Sequence, residues 1–424
     1  MCRFRLGIGL FAIVFAAALT GCGSTTMVSG AINPPPGFPT PTPTPLASPT
    51  PSPMPTPSPS PTPMGGPSPS PTPTPTVTAA SRFLFGTPGF ESGTLQAGTI
   101  DNSGKVSAVT GSPFGEGLGQ ASIIQVIADP SGRFVYVLNV EASAVGQMIG
   151  QPGLCGFSIN HQTGALALVP GSPIQFPVRN NNFLAIDGTG HFLFEPNGFG
   201  AANSTGFDVY SIDQTSGALT KTTANSNAPP VGSYSITSTD GQFLFNAGGG
   251  MVEAFTMSIQ TGELTAAGTP ISTAGSAGPM ALTADGMFLY VANQTEGTVA
   301  IFAVGAGGRL TATPGSPFPI DSGAQFLTLA PSGTFLYVAA FPGASNTVKG
   351  YAVNPSAGTF TPIANAVVNN VTTVTLDRSG RFAYISDAGD LFTYSIDPTT
   401  GALTQLFHTT GPSSDDATDM ATTQ

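Results

Sequence analysis

Over residues 81–424 the apolar positions fall in short runs, each bounded by Gly, Asp, Ser or Pro. Two turn patterns punctuate these runs. One is Gly-x-apolar, at Gly104, Gly164, Gly217, Gly262, Gly308, Gly358 and Gly401, with spacings of 60, 53, 45, 46, 50 and 43 residues. The other is Gly-x-aromatic, at Gly132/Phe134, Gly190/Phe192, Gly241/Phe243, Gly286/Phe288, Gly333/Phe335 and Gly380/Phe382, with Ser81-Arg82-Phe83 in its place in the first unit. An aromatic and β-branched run follows each aromatic, as in Phe288-Leu289-Tyr290-Val291. Such runs between tight turns read as strands. Glycine in the turns supplies the positive φ that hairpins need.

A period near 45–50 residues is the length of one four-stranded propeller blade. The fold class is therefore all-β, a seven-bladed β-propeller. One blade runs from the inner strand Met280–Thr283, through the Asp285-Gly286 turn, to a second strand ending at Asn293. A third strand, Thr298–Val304, and the Gly307-Gly308 turn lead to an outer strand from Arg309. The other inner strands are expected at Ser122–Ala128, Asn182–Ile186, Ser233–Thr237, Gln325–Leu329 and Thr372–Leu376, which leaves the first unit without one. Met420-Ala421-Thr422-Thr423 lines up with Met280-Ala281-Leu282-Thr283. The C-terminal strand is thus expected beside Phe83–Phe85, closing the ring and removing its open edges. The competing reading is an acidic tail, Ser413–Gln424, that frays.

The first 80 residues follow a different rule. Arg3 and Arg5 precede an apolar stretch, Leu6 to Leu19, too short for a comfortable membrane span. Leu19-Thr20-Gly21-Cys22 then resembles a bacterial lipobox. The resemblance implies cleavage before Cys22, lipidation of that thiol, and a membrane partner in the cell envelope; Gly23 after it favours the outer membrane by resemblance to Gram-negative sorting. The domains follow: a signal at 1–21, a short segment at 22–33, a Pro/Thr/Ser stalk at 34–77, and the propeller at 78–424. The tract from Pro34 to Thr76 holds 20 of the 41 prolines, which excludes helix and sheet. At ~3 Å per residue it could reach roughly 130 Å.

Composition narrows the function. Only 8% of residues are charged, and losing Arg3 and Arg5 takes the net charge from −11 to −13, which excludes nucleic-acid binding by phosphate neutralisation. Trp is absent, so a Trp sugar platform is absent too. Cys2 and Cys22 being committed to the signal and the lipid, Cys155 stands alone and reads as a buried filler. No cofactor is implied, no metal-ligand spacing appears, and a monomer is expected.

The repeat order puts two faces on the disc. First-to-second and third-to-fourth turns are short and uniform. Second-to-third and inter-blade loops are variable and share the other face, where binding is expected. Asn139, Asn197, Asn293 and Asp387 end second strands and should ring that face, although asparagine also simply ends strands. The long loop Val140–Pro152, with Met148, is the best single contact segment.

Strings such as Asp285-Gly286-Met287-Phe288-Leu289-Tyr290-Val291-Ala292-Asn293, and Tyr394-Ser395-Ile396-Asp397-Pro398-Thr399-Thr400-Gly401, resemble the lactonase-type seven-bladed propellers. That group includes 6-phosphogluconolactonases and carboxymuconate-lactonizing enzymes, with YVTN-repeat surface proteins as neighbours. The resemblance covers residues 81–424 and implies the fold more than the chemistry. In the enzymes a Gly-Pro-Arg-His segment leads into an inner strand; here the segment is Gly278-Pro279-Met280-Ala281. A glutamate follows the next strand there, where this chain has Asn293. Lactone opening needs an acid or base and a cation for the developing carboxylate. Arg179, just before an inner strand, is the best anion contact, with Glu195 and Asp321 the nearest acids. The expected function is a non-catalytic envelope propeller that binds a protein, glycan or small molecule. The alternative is a lactone hydrolase or isomerase.

Overall fold

The computed structural model describes residues 82–423 except 88–92, 116–121, 141, 145–146, 150–151, 177–181, 198–205, 225–231, 321–322, 341–346, 370–372, 388–389 and 411–418. Cys22, Arg179 and Asp321, together with the signal and stalk, lie outside the described residues.

Seven antiparallel sheets follow one another along the chain, each adding strands from inner to outer. The second strands are Arg82–Gly86, Phe134–Val140, Phe192–Asn197, Phe243–Gly248, Phe288–Asn293, Phe335–Ala340 and Phe382–Asp387. Each begins at, or one residue before, the aromatic of the Gly-x-aromatic marker. Inner strands are Ser122–Ala128, Ala185–Ile186, Tyr234–Thr237, Ala277–Leu282, Ala324–Leu329 and Thr373–Leu376 in blades 2 to 7. Blade 1 takes its inner strand from the C-terminus: Met420–Thr422 pairs with Arg82–Gly86, in the register Gly86↔Met420, Phe85↔Ala421, Leu84↔Thr422.

The first-to-second turns are capped by a short polar side chain. Phe134 N donates to Asp129 Oδ1 at 2.8 Å, Phe382 N to Asp377 Oδ1 at 2.9 Å, and Phe288 N to Thr283 Oγ1 at 2.9 Å. Each cap lets the chain reverse without leaving a buried donor unpaired.

The two turn patterns interlock between blades. Every Gly-x-apolar glycine packs on the marker aromatic of the preceding blade: Gly164 on Phe83, Gly217 on Phe134, Gly262 on Phe192, Gly308 on Phe243, Gly358 on Phe288 and Gly401 on Phe335. Gly104 of blade 1 packs on Phe382 of blade 7 and completes the circle. A Cβ on any of the seven would come within 2.8 Å of that ring. All seven also have φ between 70° and 87°. Glycine is required here twice over, for the left-handed backbone and for the space. The aromatics themselves are buried, Phe134 at 3% and Phe288 at 6% exposure, and each fully buried ring contributes on the order of 1.5–3 kcal/mol.

A tyrosine two residues beyond the marker adds a polar latch in two blades. Tyr136 Oη donates to Gly217 O at 2.9 Å, and Tyr337 Oη to Gly401 O at 2.7 Å. Tyr290 and Tyr384 occupy the same place, but their buried hydroxyls meet no partner.

The ring's seam lies between blades 7, 1 and 2. Thr423 N donates to Phe83 O, and Phe83 N to Thr423 Oγ1. Thr422 Oγ1 donates to Leu376 O at 2.7 Å. Blade 1 has no first-to-second hairpin, because its two inner strands come from opposite chain ends. Arginines bind across that gap: Arg82 pairs with Asp377 at 3.1 Å, and Arg378 donates to Pro130 O and Asp129 O.

Candidate functional site at the axis mouth

Inner strands start at the variable-loop face and run toward the short turns, so their first residues surround the axis at that face. Strand register identifies the layer. Gln125, Tyr234, Phe326 and Thr373 pair with Leu138, Ala247, Ala339 and Ser386, each four residues beyond its marker aromatic. Phe183 precedes Leu184 and Ala185, and Ala185 pairs with Phe194, which puts Phe183 in the same layer. Asp419 precedes Met420 and joins it from blade 1. In blade 5 a bulge between Ala277 and Met280 places Gly278-Pro279 there. Gln125, Phe183, Tyr234, Phe326 and Asp419 all keep partial exposure.

These side chains are tied to one another across blades. Phe183 stacks on Tyr234 with centroids 4.7 Å apart and planes 14° from parallel. Phe183 N donates to Ser233 O at 2.7 Å beneath the pair. Gln125 clamps the Leu184 backbone of blade 3, accepting from its N and donating to its O. Gln294 Nε2, from blade 5, lies 3.4 Å from Tyr234 Oη and donates to Gln325 Oε1 of blade 6 at 3.0 Å. Gly278 makes room for that glutamine, since a Cβ there would stand 2.6 Å from Gln294 Cδ. Burial raises the Tyr234 phenol above its ordinary value, so it remains a neutral hydroxyl at physiological pH. Asp419 Oδ2 accepts from Val126 N at 2.8 Å and Oδ1 from Met420 N at 2.9 Å. Burial pushes this carboxyl up to about 7, against the two backbone hydrogen bonds.

The mouth is therefore an aromatic face with amide and carboxyl hydrogen-bonding groups around it. Stacked rings offer flat apolar surface, and amides offer paired donors and acceptors.

The sequence candidates fall elsewhere. Met280 and Ala281 are buried at 9% and 4% exposure among the apolar residues between blades. Neither presents a charge to the axis. Asn139 and Asn293 are fully buried. Asn293 Nδ2 donates to Thr273 O and Thr298 Oγ1, holding the inter-blade and second-to-third loops together. Asn139 Nδ2 lies 3.9 Å from the Sγ of Cys155, a buried thiol outside any disulfide. Asp387 is half-buried and pairs with Asp390 at the end of blade 7. Asn197 pairs with Gly206 through the backbone. The loop carrying Met148 forms a hairpin of its own, Ala142–Ala144 against Gln147–Ile149, with Ser143 opposite Met148. Glu195 is buried at 2% exposure in a second strand, one strand behind the axis. His191 Nδ1 contacts Thr189 Oγ1 in a short turn, and His408 pairs with Asp390 at 2.8 Å on the outer rim. Among the described residues no group of three or more His, Cys, Asp or Glu gathers to hold a metal.

Sequence reasoning passed over Phe183, Tyr234, Gln294, Gln325 and Asp419. The signal for Asp419 was available: aligning Met420 with Met280 puts Asp419 in the slot of Pro279. A cavity of about 320 Å³ also opens between the outer parts of blades 4 and 5, lined by Val252, Ala254, Ile271, Arg309 and Leu310 among others. It lies away from the axis and gathers no comparable set of polar groups.

The profile of the family "Lactonase, 7-bladed beta-propeller" matches residues 250–376. No curated protein matches the chain. Among solved structures, a candidate 6-phosphogluconolactonase from Bacteroides fragilis NCTC 9343 aligns with TM-score 0.65 at 17% identity, covering 83% of this chain and 100% of that one. The periplasmic gluconolactonase PpgL of Pseudomonas aeruginosa aligns with TM-score 0.63 at 18% identity, over 82% of this chain and 99% of that one. A candidate 6-phosphogluconolactonase from Bacteroides uniformis ATCC 8492 gives TM-score 0.63 at 15% identity, over 81% and 99%. At these identities the likeness is one of fold. With seven four-stranded blades and the family match over residues 250–376, the protein is a seven-bladed β-propeller that resembles the lactonases.

Proposed function

We propose that the protein is a non-catalytic binding propeller that takes a small sugar-derived polyol, such as an aldonolactone or its open-chain acid, at the axis mouth. The observation that carries this reading is the layer itself: a stacked Phe183–Tyr234 face beside Gln294 and Gln325, with Met280 and Ala281 buried where related enzymes keep Arg and His. An aromatic face with amides around it can hold a polyol without activating it. Titration calorimetry with D-gluconate and fresh D-glucono-1,5-lactone tests this. Binding that Tyr234→Ala weakens at least about tenfold supports the reading; equal binding by that variant sinks it.

The second reading is a lactone hydrolase. It is favoured by the family match, which spans the Gly278–Ala281 segment, and by the Pseudomonas gluconolactonase among the structural neighbours. We also propose that Cys22 is lipidated and that the Pro-rich tract spaces the propeller from the membrane, on the strength of Leu19-Thr20-Gly21-Cys22 and of the proline content. Cys22→Ala should move the protein from the membrane to the soluble fraction; unchanged membrane association counts against the anchor.

A further inference from the structure

The strand that closes the ring also supplies a wall of the mouth. Asp419 is its first described residue, in the layer of Gln125, Phe183 and Tyr234. Its two oxygens are held by Val126 N and Met420 N, one hydrogen bond each. A carboxylate oxygen has two lone pairs, so each keeps one for a further partner. The residue as a whole is half-buried at the start of the strand.

We propose that Asp419 is a ligand contact at the axis mouth, and that its proton sets whether the mouth accepts an anionic or only a neutral ligand. This rests on the reading of the mouth as the binding site. Protonated, Asp419 donates one hydrogen bond and adds no charge. Ionised, it accepts from ligand hydroxyls and repels a carboxylate. Its ionisation near neutrality is consistent with burial, which pushes the carboxyl up to about 7.

The flanking strands bring little other charge. Ser122–Ala128 and Thr373–Leu376 contain no ionisable side chain. Arg82 begins the partner strand at its opposite end, paired with Asp377, and Arg378 is turned to Asp129 O and Pro130 O. Asp387 ends the second strand of blade 7, the next blade round.

Gluconate is the probe because it stays a monoanion across the range. Its affinity for the full mature protein should fall at least about fivefold between pH 5.5 and 8.5, as the appearance of a like charge in the same mouth requires. Asp419→Asn should bind at pH 8.5 as the wild type does at pH 5.5, and lose the pH dependence. Asp419→Ser, which also lacks the titrating group, guards against misfolding of the first variant and should behave likewise. A pH-independent wild type, or variants that keep its pH dependence, overturns the assignment while leaving the mouth reading intact. No gluconate binding at any pH, with Tyr234→Ala equally silent, overturns both.

Discussion

At the scale of single residues, the fold depends on seven places where glycine meets an aromatic ring from the preceding blade. Gly217 has φ of 74° and a Cβ there would collide with Phe134. Gly217→Ala should therefore destabilise by more than the 1–3 kcal/mol of left-handed strain alone, visible as a lower melting temperature. An unchanged melt would show that the interlock is slack. The tyrosine latches give a sharper contrast. Tyr337 loses a buried hydrogen bond to Gly401 O on mutation to Phe, at a cost of about 1 kcal/mol. Tyr290 has a buried hydroxyl with no partner, so Tyr290→Phe should be neutral or stabilising. Equal losses from the two variants, in parallel denaturant melts, would contradict the pairing seen here. None of this was legible residue by residue. The sequence shows that both glycine patterns recur, but only packing shows that each glycine of one is filled by an aromatic of the other.

At the scale of elements, the closing strand has the largest consequence. Met420–Thr422 is three residues long, yet with its neighbours Asp419 and Thr423 it ties blades 1, 2 and 7 together through Phe83, Val126 and Leu376. Deleting residues 418–424 should lower the melting temperature sharply, because it opens two strand edges at once; an unaltered melt would mean the arginine contacts at the seam suffice. This closure was readable in advance, since blade 1 lacked an inner strand and Met420-Ala421-Thr422 matched Met280-Ala281-Leu282. Strand limits were less so. Asn182–Ile186 contributes only Ala185–Ile186 as paired strand, because Phe183 and Leu184 turn their backbone bonds to Ser233 and Gln125 of the neighbouring blades. The outer strands of blades 1, 2, 4 and 5 are each split, with a two-residue piece returning to the third strand. Blade 6 instead carries an outer strand of 10 residues. The inter-blade turns differ between these blades, and a common repeat template cannot show it.

At the scale of the whole molecule, opposing carboxyl groups set the response to pH. Hydrogen bonds from Ser103, Ser216 and Thr400 hold Asp101, Asp213 and Asp397 below the ordinary carboxylate value. Their contribution is present above the unfolded value and is lost as pH falls through the folded one. Burial raises Glu253 and Asp419 to about 7. The folded state holds those two protons more tightly than the unfolded chain does, so stability declines from the unfolded carboxyl value up through about 7. The melting temperature should peak in mildly acidic buffer, roughly pH 4–5, and fall on both sides. Glu253→Gln should flatten the alkaline limb; a limb that stays as steep would remove Glu253 from the explanation. The mouth itself was the least legible part of the chain. Its members come from all seven blades, at ordinary-looking positions such as Gln294 and Phe183, and only the strand register brings them into one layer. The residues that stood out in the sequence, Asn139 and Asn293, are buried, and Asn293 anchors loops rather than facing a ligand. On this account the mouth binds its ligand without reacting with it. Hydrolysis of D-glucono-1,5-lactone by the purified protein, followed by acid release against a buffer blank, tests this most directly. A binding propeller gives no rate above the blank, while gluconate still binds with Tyr234 intact. Turnover above the blank that Arg179→Ala abolishes would contradict the account and make the protein a lactonase in activity as well as in fold.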